Sequence, residues 1–314
     1  MQKLILILFP LFSYAQDVPI GQWKDYLPYN NAQHIAIDND KVYCITDGGI
    51  FYYNKDDNSI NRLSKINGLS DIQATLAAYD EQTKTLLIAY SNTNIDLLIN
   101  NHIINISDIK RESMTGMKLI NNIIFNDGMA YLSCSFGLVV IDINKSEIKD
   151  TYKIGENADY VSINQTAFMN DSIYVATSKG IYTASSSNLF LADYQQWTKM
   201  KNFNNTSLID ANFNAIISFN NTLTSSINLP KDSILMYQNN IWNSFSNTGY
   251  IQVNINESNE KLVIIDSNCI TIYSSNLDST YSIKNLNNAQ FALFDNDEVL
   301  WVADKSGLSY YKYE

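Results

Sequence analysis

The sequence predicts an all-β fold: a seven-bladed β-propeller of four-stranded antiparallel blades, its ring closed by an N-terminal strand. Three observations predict it. A strand unit recurs seven times at a spacing of about 43 residues, an Asp/Asn turn precedes each copy, and a short loop, usually carrying Gly or Asn, follows it. The composition agrees. Tyr (21) and Phe (13) are plentiful, Pro (4) is scarce, and Asn and Ser fill the gaps between apolar runs. Aromatic and β-branched residues suit a pleated, half-buried surface, while Asn, Asp and Ser suit turns. With 46% apolar residues, 314 residues can enclose a sizeable core as one all-β domain.

The second strand of the unit is the clearest. Its copies read Val42-Tyr43-Cys44-Ile45-Thr46, Leu87-Ile88-Ala89-Tyr90-Ser91, Tyr131-Leu132-Ser133-Cys134-Ser135, Tyr174-Val175-Ala176-Thr177-Ser178, a degenerate Leu223-Thr224-Ser225-Ser226-Ile227, Leu262-Val263-Ile264-Ile265-Asp266 and Leu300-Trp301-Val302-Ala303-Asp304. In this alignment the third position runs Cys44, Ala89, Ser133, Ala176, Ser225, Ile264 and Val302, and Cys134 falls at the fourth. The preceding turns include Asp38-Asn39-Asp40, Asn126-Asp127-Gly128, Asn170-Asp171 and Asp295-Asn296-Asp297. Such residues tolerate left-handed backbone and close tight hairpins. The unit near 213–245 is irregular, so an eight-bladed or open count also fits. The last unit lacks an outer strand, and Trp23–Leu27 is placed to supply it, closing the ring and leaving few exposed sheet edges.

The first residues read as a secretory leader. Lys3 precedes the apolar run Leu4–Phe9, and small residues around Ser13-Tyr14-Ala15 frame a cleavage site. The expected organisation is therefore a signal peptide over 1–15 and one propeller domain over 16–314, exported to the periplasm or cell surface. The run is too short to span a bilayer. No Cys follows the cut, so a bacterial lipid anchor is not indicated. Cys44, Cys134 and Cys269 have neither metal nor redox spacing. Cys44 and Cys134, at neighbouring repeat positions, are expected to face opposite sides of their strands.

The formal charge is −11, and losing Lys3 with the leader makes it more negative. A chain this acidic repels phosphate backbones, which excludes nucleic acid as the expected partner. Solubility is the ordinary reading of the acidity.

Three segments carry a resemblance. Trp23-Lys24-Asp25-Tyr26-Leu27-Pro28-Tyr29, Gly48-Gly49-Ile50-Phe51 and Asn67-Gly68-Leu69-Ser70-Asp71 resemble the two-component-regulator type of propeller repeat. The opening run, directly behind a leader, is more narrowly similar to the N-terminal propeller of the PorZ family of the type IX secretion system. That resemblance implies a longer protein with a second propeller and a small C-terminal β domain. On that reading the present chain is an N-terminal fragment or a truncated relative. It also implies delivery of anionic lipopolysaccharide to the machinery that attaches it to secreted cargo, with other secretion-system proteins as partners. The runner-up is the periplasmic glycan-sensing propeller of a hybrid two-component regulator.

A catalytic constellation is not visible. The chain has two histidines, His34 and His102, in different blades, and two arginines, Arg62 and Arg111. A sialidase propeller needs three arginines to clamp a carboxylate, so that activity is excluded. No nucleophile motif, phosphate loop or Cys-His cluster occurs. Asp56-Asp57-Asn58 and Asp38-Asn39-Asp40 lack the spacing of a helix-loop-helix calcium site and read as turns. The many carboxylates leave a paired acid and base open, with nothing to select one pair. The expectation is a non-enzymatic binding module without cofactor or metal. Trp23, Trp197, Trp242 and Trp301 sit at repeat positions on strands and read as inter-blade packing rather than sugar platforms.

Propellers commonly bind ligands on the face formed by the turn between strands two and three and by the connection into the next blade. On this alignment the candidate ligand-binding residues there are Asp47, Asp71, Asn94, Arg111, Asp159, Tyr160, Lys179 and Lys305. Polar side chains with an occasional aromatic suit a glycan, and they suit a solvated rim equally well. An anionic ligand would need a local cluster of lysines to overcome the overall charge.

Overall fold

Paired left-handed residues turn the chain back on itself. Asp127 and Gly128, Asn170 and Asp171, and Asn220 and Asn221 all have positive φ between the first and second strands of successive blades. Asn100 and Asn101, and Asn239 and Asn240, do the same between third and fourth strands. Two consecutive positive φ values twist a two-residue turn to match the right-handed twist of the strands, and Asn, Asp and Gly accept that conformation most readily.

The computed structural model describes residues 29–227, 234–246, 254–258, 260–266 and 268–312. Within them the chain is a seven-bladed β-propeller of antiparallel sheets. The blades span residues 32–63, 74–106, 120–152, 163–199, 213–246, 254–284 and 291–312. Six sheets have four strands in sequential order, and the seventh has three described strands. The expected leader and the expected closing strand Trp23–Leu27 lie outside the described residues.

The core is a set of seams rather than one centre. Seven apolar clusters fill the seven interfaces between neighbouring blades. Burying one Ile or Leu contributes about 1.5–3 kcal/mol, so each seam is a substantial unit of stability. One cluster joins Ala32, Ile35, Val42, Cys44 and Phe51 of blade one to Val299, Trp301 and Ala303 of blade seven. Asn31 N–H also donates to Lys305 O across that seam, at 3.3 Å. The ring is therefore closed by packing, with seven blades and not eight.

The described tryptophans are core residues. Trp197, Trp242 and Trp301 are 7%, 1% and 6% exposed. Trp242 stacks on Phe203 and completes the seam between blades four and five. The cysteine expectation needs correcting. Second strands run Lys41–Thr46 in blade one and Met129–Cys134 in blade three. Cys44 is thus the fourth residue of its strand and Cys134 the sixth, on the same side. The sequence alignment runs one residue out of register for blades two to four, because alternating apolar strands match nearly as well when shifted. Cys44 and Cys134 are separated by a whole blade, and all three thiols are free. Burial pushes the Cys44 thiol up to about 12 and that of Cys134 further, so neither is a ready nucleophile.

Each of the first five blades has a β-bulge near the start of its innermost strand. The bulged residues are Gln33, Thr75, Asn121, Asn164 and Asn214. A bulge re-aims the extra side chain out of the ladder, and in blades three and four it reaches sideways. Asn121 Nδ2 donates to Ile163 O of blade four at 2.7 Å, and Asn164 Nδ2 donates to Phe213 O of blade five at 2.6 Å. Each accepting carbonyl lies one residue before the next bulge. Asn164→Ala is expected to lower stability by about 1–2 kcal/mol, leaving a half-buried carbonyl without its donor. Urea unfolding checks this, and a shift below about 0.3 kcal/mol would show that the amide is ornamental.

Candidate functional site

Strand direction divides the ring into two faces. The upper face carries the connections into each blade and the turns between second and third strands. The lower face carries the remaining hairpins. All eight candidate residues, Asp47, Asp71, Asn94, Arg111, Asp159, Tyr160, Lys179 and Lys305, lie on the upper face. They do not form one cluster.

Asp71 and Asn94 meet in blade two. Asp71 Oδ2 accepts from Lys110 Nζ at 2.7 Å, from Asn92 Nδ2 at 2.6 Å and from Asn94 Nδ2 at 3.4 Å. Burial alone would raise the Asp71 carboxyl, but Lys110, Asn92 and the Ile72 N–H outweigh it and hold it at about 2. Beneath them Asp96, fully buried, accepts from Ser70 N–H at 2.8 Å, Tyr90 OH at 2.7 Å and Asn105 Nδ2 at 2.9 Å. Asn105 also donates to Asn94 Oδ1 at 3.1 Å. These groups largely satisfy one another, so this network holds the connection between blades one and two in place.

The other candidates stand apart. Asp47 accepts from Asn31 and Gln33 and braces the start of blade one. Arg111 pairs with Asp108 at the surface, at 3.2 Å. Tyr160 is 47% exposed, with Lys153 Nζ 4.9 Å from its ring centre. Asp159, Lys179 and Lys305 are exposed.

Charge is divided between the faces. The lower hairpins carry Asp38, Asp40, Asp80, Glu81, Asp127, Asp171, Asp297 and Glu298, with Lys41, Lys55, Lys84, Lys145 and Lys261 among them. The upper connections and turns carry Lys65, Lys110, Arg111, Lys118, Lys153, Lys179, Lys201 and Lys305 beside a comparable number of acids. The net negative charge is thus concentrated below. Lys118 is structural: its ammonium donates to the carbonyls of Ile109, Lys110 and Glu112 at 2.8–2.9 Å.

Five exposed apolar side chains lie on the same connections, while Leu189 and Phe190 are exposed on a lower hairpin of blade four. Ile66, Ile72, Met117, Leu119 and Tyr160 all lie between residues 64 and 162, and Met117 is 75% exposed. Of these, the sequence singled out Tyr160 alone, since the connections are the part of the unit that does not repeat.

The innermost strands enclose an axial channel of about 920 Å³. His34, Asn122, Gln165, Phe168, Phe291 and Leu293 are among its lining residues. His34 stacks on Phe291 with ring centres 3.8 Å apart. Among the described residues, no group of three or more His, Cys, Asp or Glu side chains is arranged to hold a metal, and no helix is long and apolar enough to cross a membrane.

Comparison with known proteins bears on this geometry. The family model for the type IX secretion (TSS9) PorZ N-terminal β-propeller domain matches residues 42–198. Among solved structures, the chain is similar to PorZ, an essential bacterial surface component of the type IX secretion system of Porphyromonas gingivalis. That match has 20% identity and a TM-score of 0.77, and covers 90% of this chain and 37% of that one. The extracellular domain of a hybrid two-component system from B. thetaiotaomicron matches at 11% identity and a TM-score of 0.66, over 90% of this chain and 40% of that one. A computationally designed protein, Ika8, matches at 8% identity and a TM-score of 0.61, over 92% and 98%. This chain therefore spans little more than a third of the length of the two natural structures. No curated protein matches it in sequence.

Proposed function

The chain belongs to the PorZ N-terminal β-propeller domain family, and from that premise we propose that it is a non-enzymatic binding and scaffold propeller of a type IX secretion component. It acts at the periplasm or cell surface, in delivery of anionic lipopolysaccharide for attachment to secreted cargo, and it binds that ligand on the upper face. One observation supports the location. Among the described residues, unpaired cations lie on the upper face, where Lys65 and Lys153 share the connections into blades two and four with exposed apolar side chains, and the lower face is acidic. An anion repelled from the lower hairpins is drawn to Lys65, Lys153, Lys179, Lys201 and Lys305, none of which has an ion-pair partner among the described residues. Ile66, Ile72, Met117 and Tyr160 supply the apolar contact that an amphiphile needs beside its charges.

The test is binding of the purified chain to anionic lipopolysaccharide as salt is raised, with Lys153→Glu/Lys179→Glu/Lys305→Glu as the variant. Saturable binding that weakens with salt, and at least tenfold in the triple variant, is the expected outcome. Equal binding by parent and variant, or none by either, overturns the proposal. The likeness to the hybrid two-component structure shows the fold and carries no argument for sensing.

A further inference from the structure

We propose that the axial channel is a second binding site, for a neutral saccharide. This inference does not depend on the anionic lipopolysaccharide reading, which concerns the upper face. The channel volume of about 920 Å³ lies in the range of small-ligand pockets. Its walls differ in chemistry. Where blade seven meets blade one, His34 and Phe291 form a stacked aromatic surface, 3.8 Å between ring centres and 27° from coplanar. In a ring of seven blades the wall opposite that seam is blade four, with blade three beside it. There the channel is lined by Asn122 and Gln165, paired in register with Ser133 and Ala176 at one level of the ring. Neither carboxamide has a hydrogen-bond partner among the described residues, unlike the neighbouring Asn121 and Asn164, which are bound to the next blade.

A pyranose fits this opposition. Its C–H face stacks on an aromatic surface, while its hydroxyls both donate and accept, as carboxamides do. The lining at this level carries no cation to bind an anion. The acidic groups on the lining, Asp80 and Glu260, lie toward its lower end. An anionic sugar is repelled there and a neutral one is not.

The experiment titrates the full chain with maltotriose, cellotriose and chitotriose at high salt, followed by calorimetry and saturation-transfer NMR. Saturable binding of at least one trisaccharide is expected. Gln165→Leu and Asn122→Leu should each weaken it about tenfold, with the thermal midpoint of the protein unchanged. Ala78→Trp, which fills the channel from blade two, should abolish it. The upper-face triple variant should leave it intact, which separates this site from the lipopolysaccharide surface. Absence of binding by all three sugars overturns the proposal, as does binding that survives Ala78→Trp. Preferential uptake of an extended peptide would overturn it in favour of a strand-binding channel.

Discussion

Asp295→Ala is expected to destabilise the ring by about 3–5 kcal/mol, more than any other single side-chain truncation considered for this molecule. Asp295 is 2% exposed in the first hairpin of blade seven. Its Oδ1 accepts the N–H groups of Asp297 and Val299 at 2.9 and 3.0 Å and so shapes the turn. Its Oδ2 accepts Trp301 Nε1 at 2.9 Å and lies 3.4 Å from Lys55 Nζ. Lys55 belongs to blade one, so this carboxylate ties the last blade to the first. Truncation strands a buried indole N–H and leaves Lys55 with only the exposed Asp297. The cost is that of orphaned donors in a low-dielectric seam rather than of one lost contact.

Asp295→Asn separates the two roles. It keeps an acceptor for the turn or the indole but not the charge, and should cost about 1–2 kcal/mol. Lys55→Met should cost less than Asp295→Ala, because the ammonium is the more exposed partner. Urea unfolding monitored by tryptophan fluorescence and circular dichroism reads all three. A midpoint for Asp295→Ala within about 1 kcal/mol of the parent would mean that the closure is held by the apolar seam alone. Arg111→Ala, which breaks the exposed pair with Asp108, is the contrast and should leave the midpoint unmoved.

The closure also shows how far the sequence could be read. Seven recurring strands and their turns were legible because each blade solves the same local problem, and identical solutions repeat. The unit at Leu223–Ile227 was the faintest copy, and in the structure Thr224, Ser225 and Ser226 are wholly buried, with Ser225 Oγ donating to Ala215 O at 2.6 Å. A strand that buries hydroxyls does not look apolar, although it packs as its neighbours do. The division of the turns between two faces was legible as well, since strand direction alone decides which turns share a side.

What the sequence hid was which residues meet. Asp71 and Lys110, Asn121 and Ile163, and Lys55 and Asp295 are joined by ring geometry, across one blade boundary or around the whole circle. A signal for the inter-blade amides does exist: Ile120-Asn121 and Ile163-Asn164 recur at the start of innermost strands, with Phe213-Asn214 at the same place in blade five. It is only a residue pair, too short to distinguish from ordinary turn chemistry until the bulges are seen.

Stability is expected to fall between about pH 6.5 and pH 4 through His34, and again below about pH 4 through Asp295, so acid should open the same seam in two stages. The His34 ring is packed against Phe291, and Nδ1 is buried without a hydrogen-bond partner. Burial lowers its pKa from 6.5 to about 4, although bonding to the backbone of Ala77 and Ile35 opposes the shift. A histidine depressed in this way is neutral in the fold and takes up its proton more readily when unfolded. Its contribution is therefore complete above pH 6.5, declines as pH falls through the interval, and is gone below about 4. The loss is about 2–3 kcal/mol, allowing for the part of the ring that touches the channel. Asp295 behaves in the opposite chemical sense but loses stability in the same direction. Burial would raise its carboxyl, yet the Trp301 indole, the Val299 N–H and Lys55 keep it below its ordinary value. That contribution persists until pH falls below the usual carboxylate range. Urea midpoints measured from about pH 7.5 to about pH 2 for the parent, His34→Phe and Asp295→Asn resolve the two stages. His34→Phe should flatten the profile between pH 6.5 and 4 and leave the lower step in place. An undiminished slope in His34→Phe would locate the acid sensitivity elsewhere in the ring and remove the imidazole from the closure.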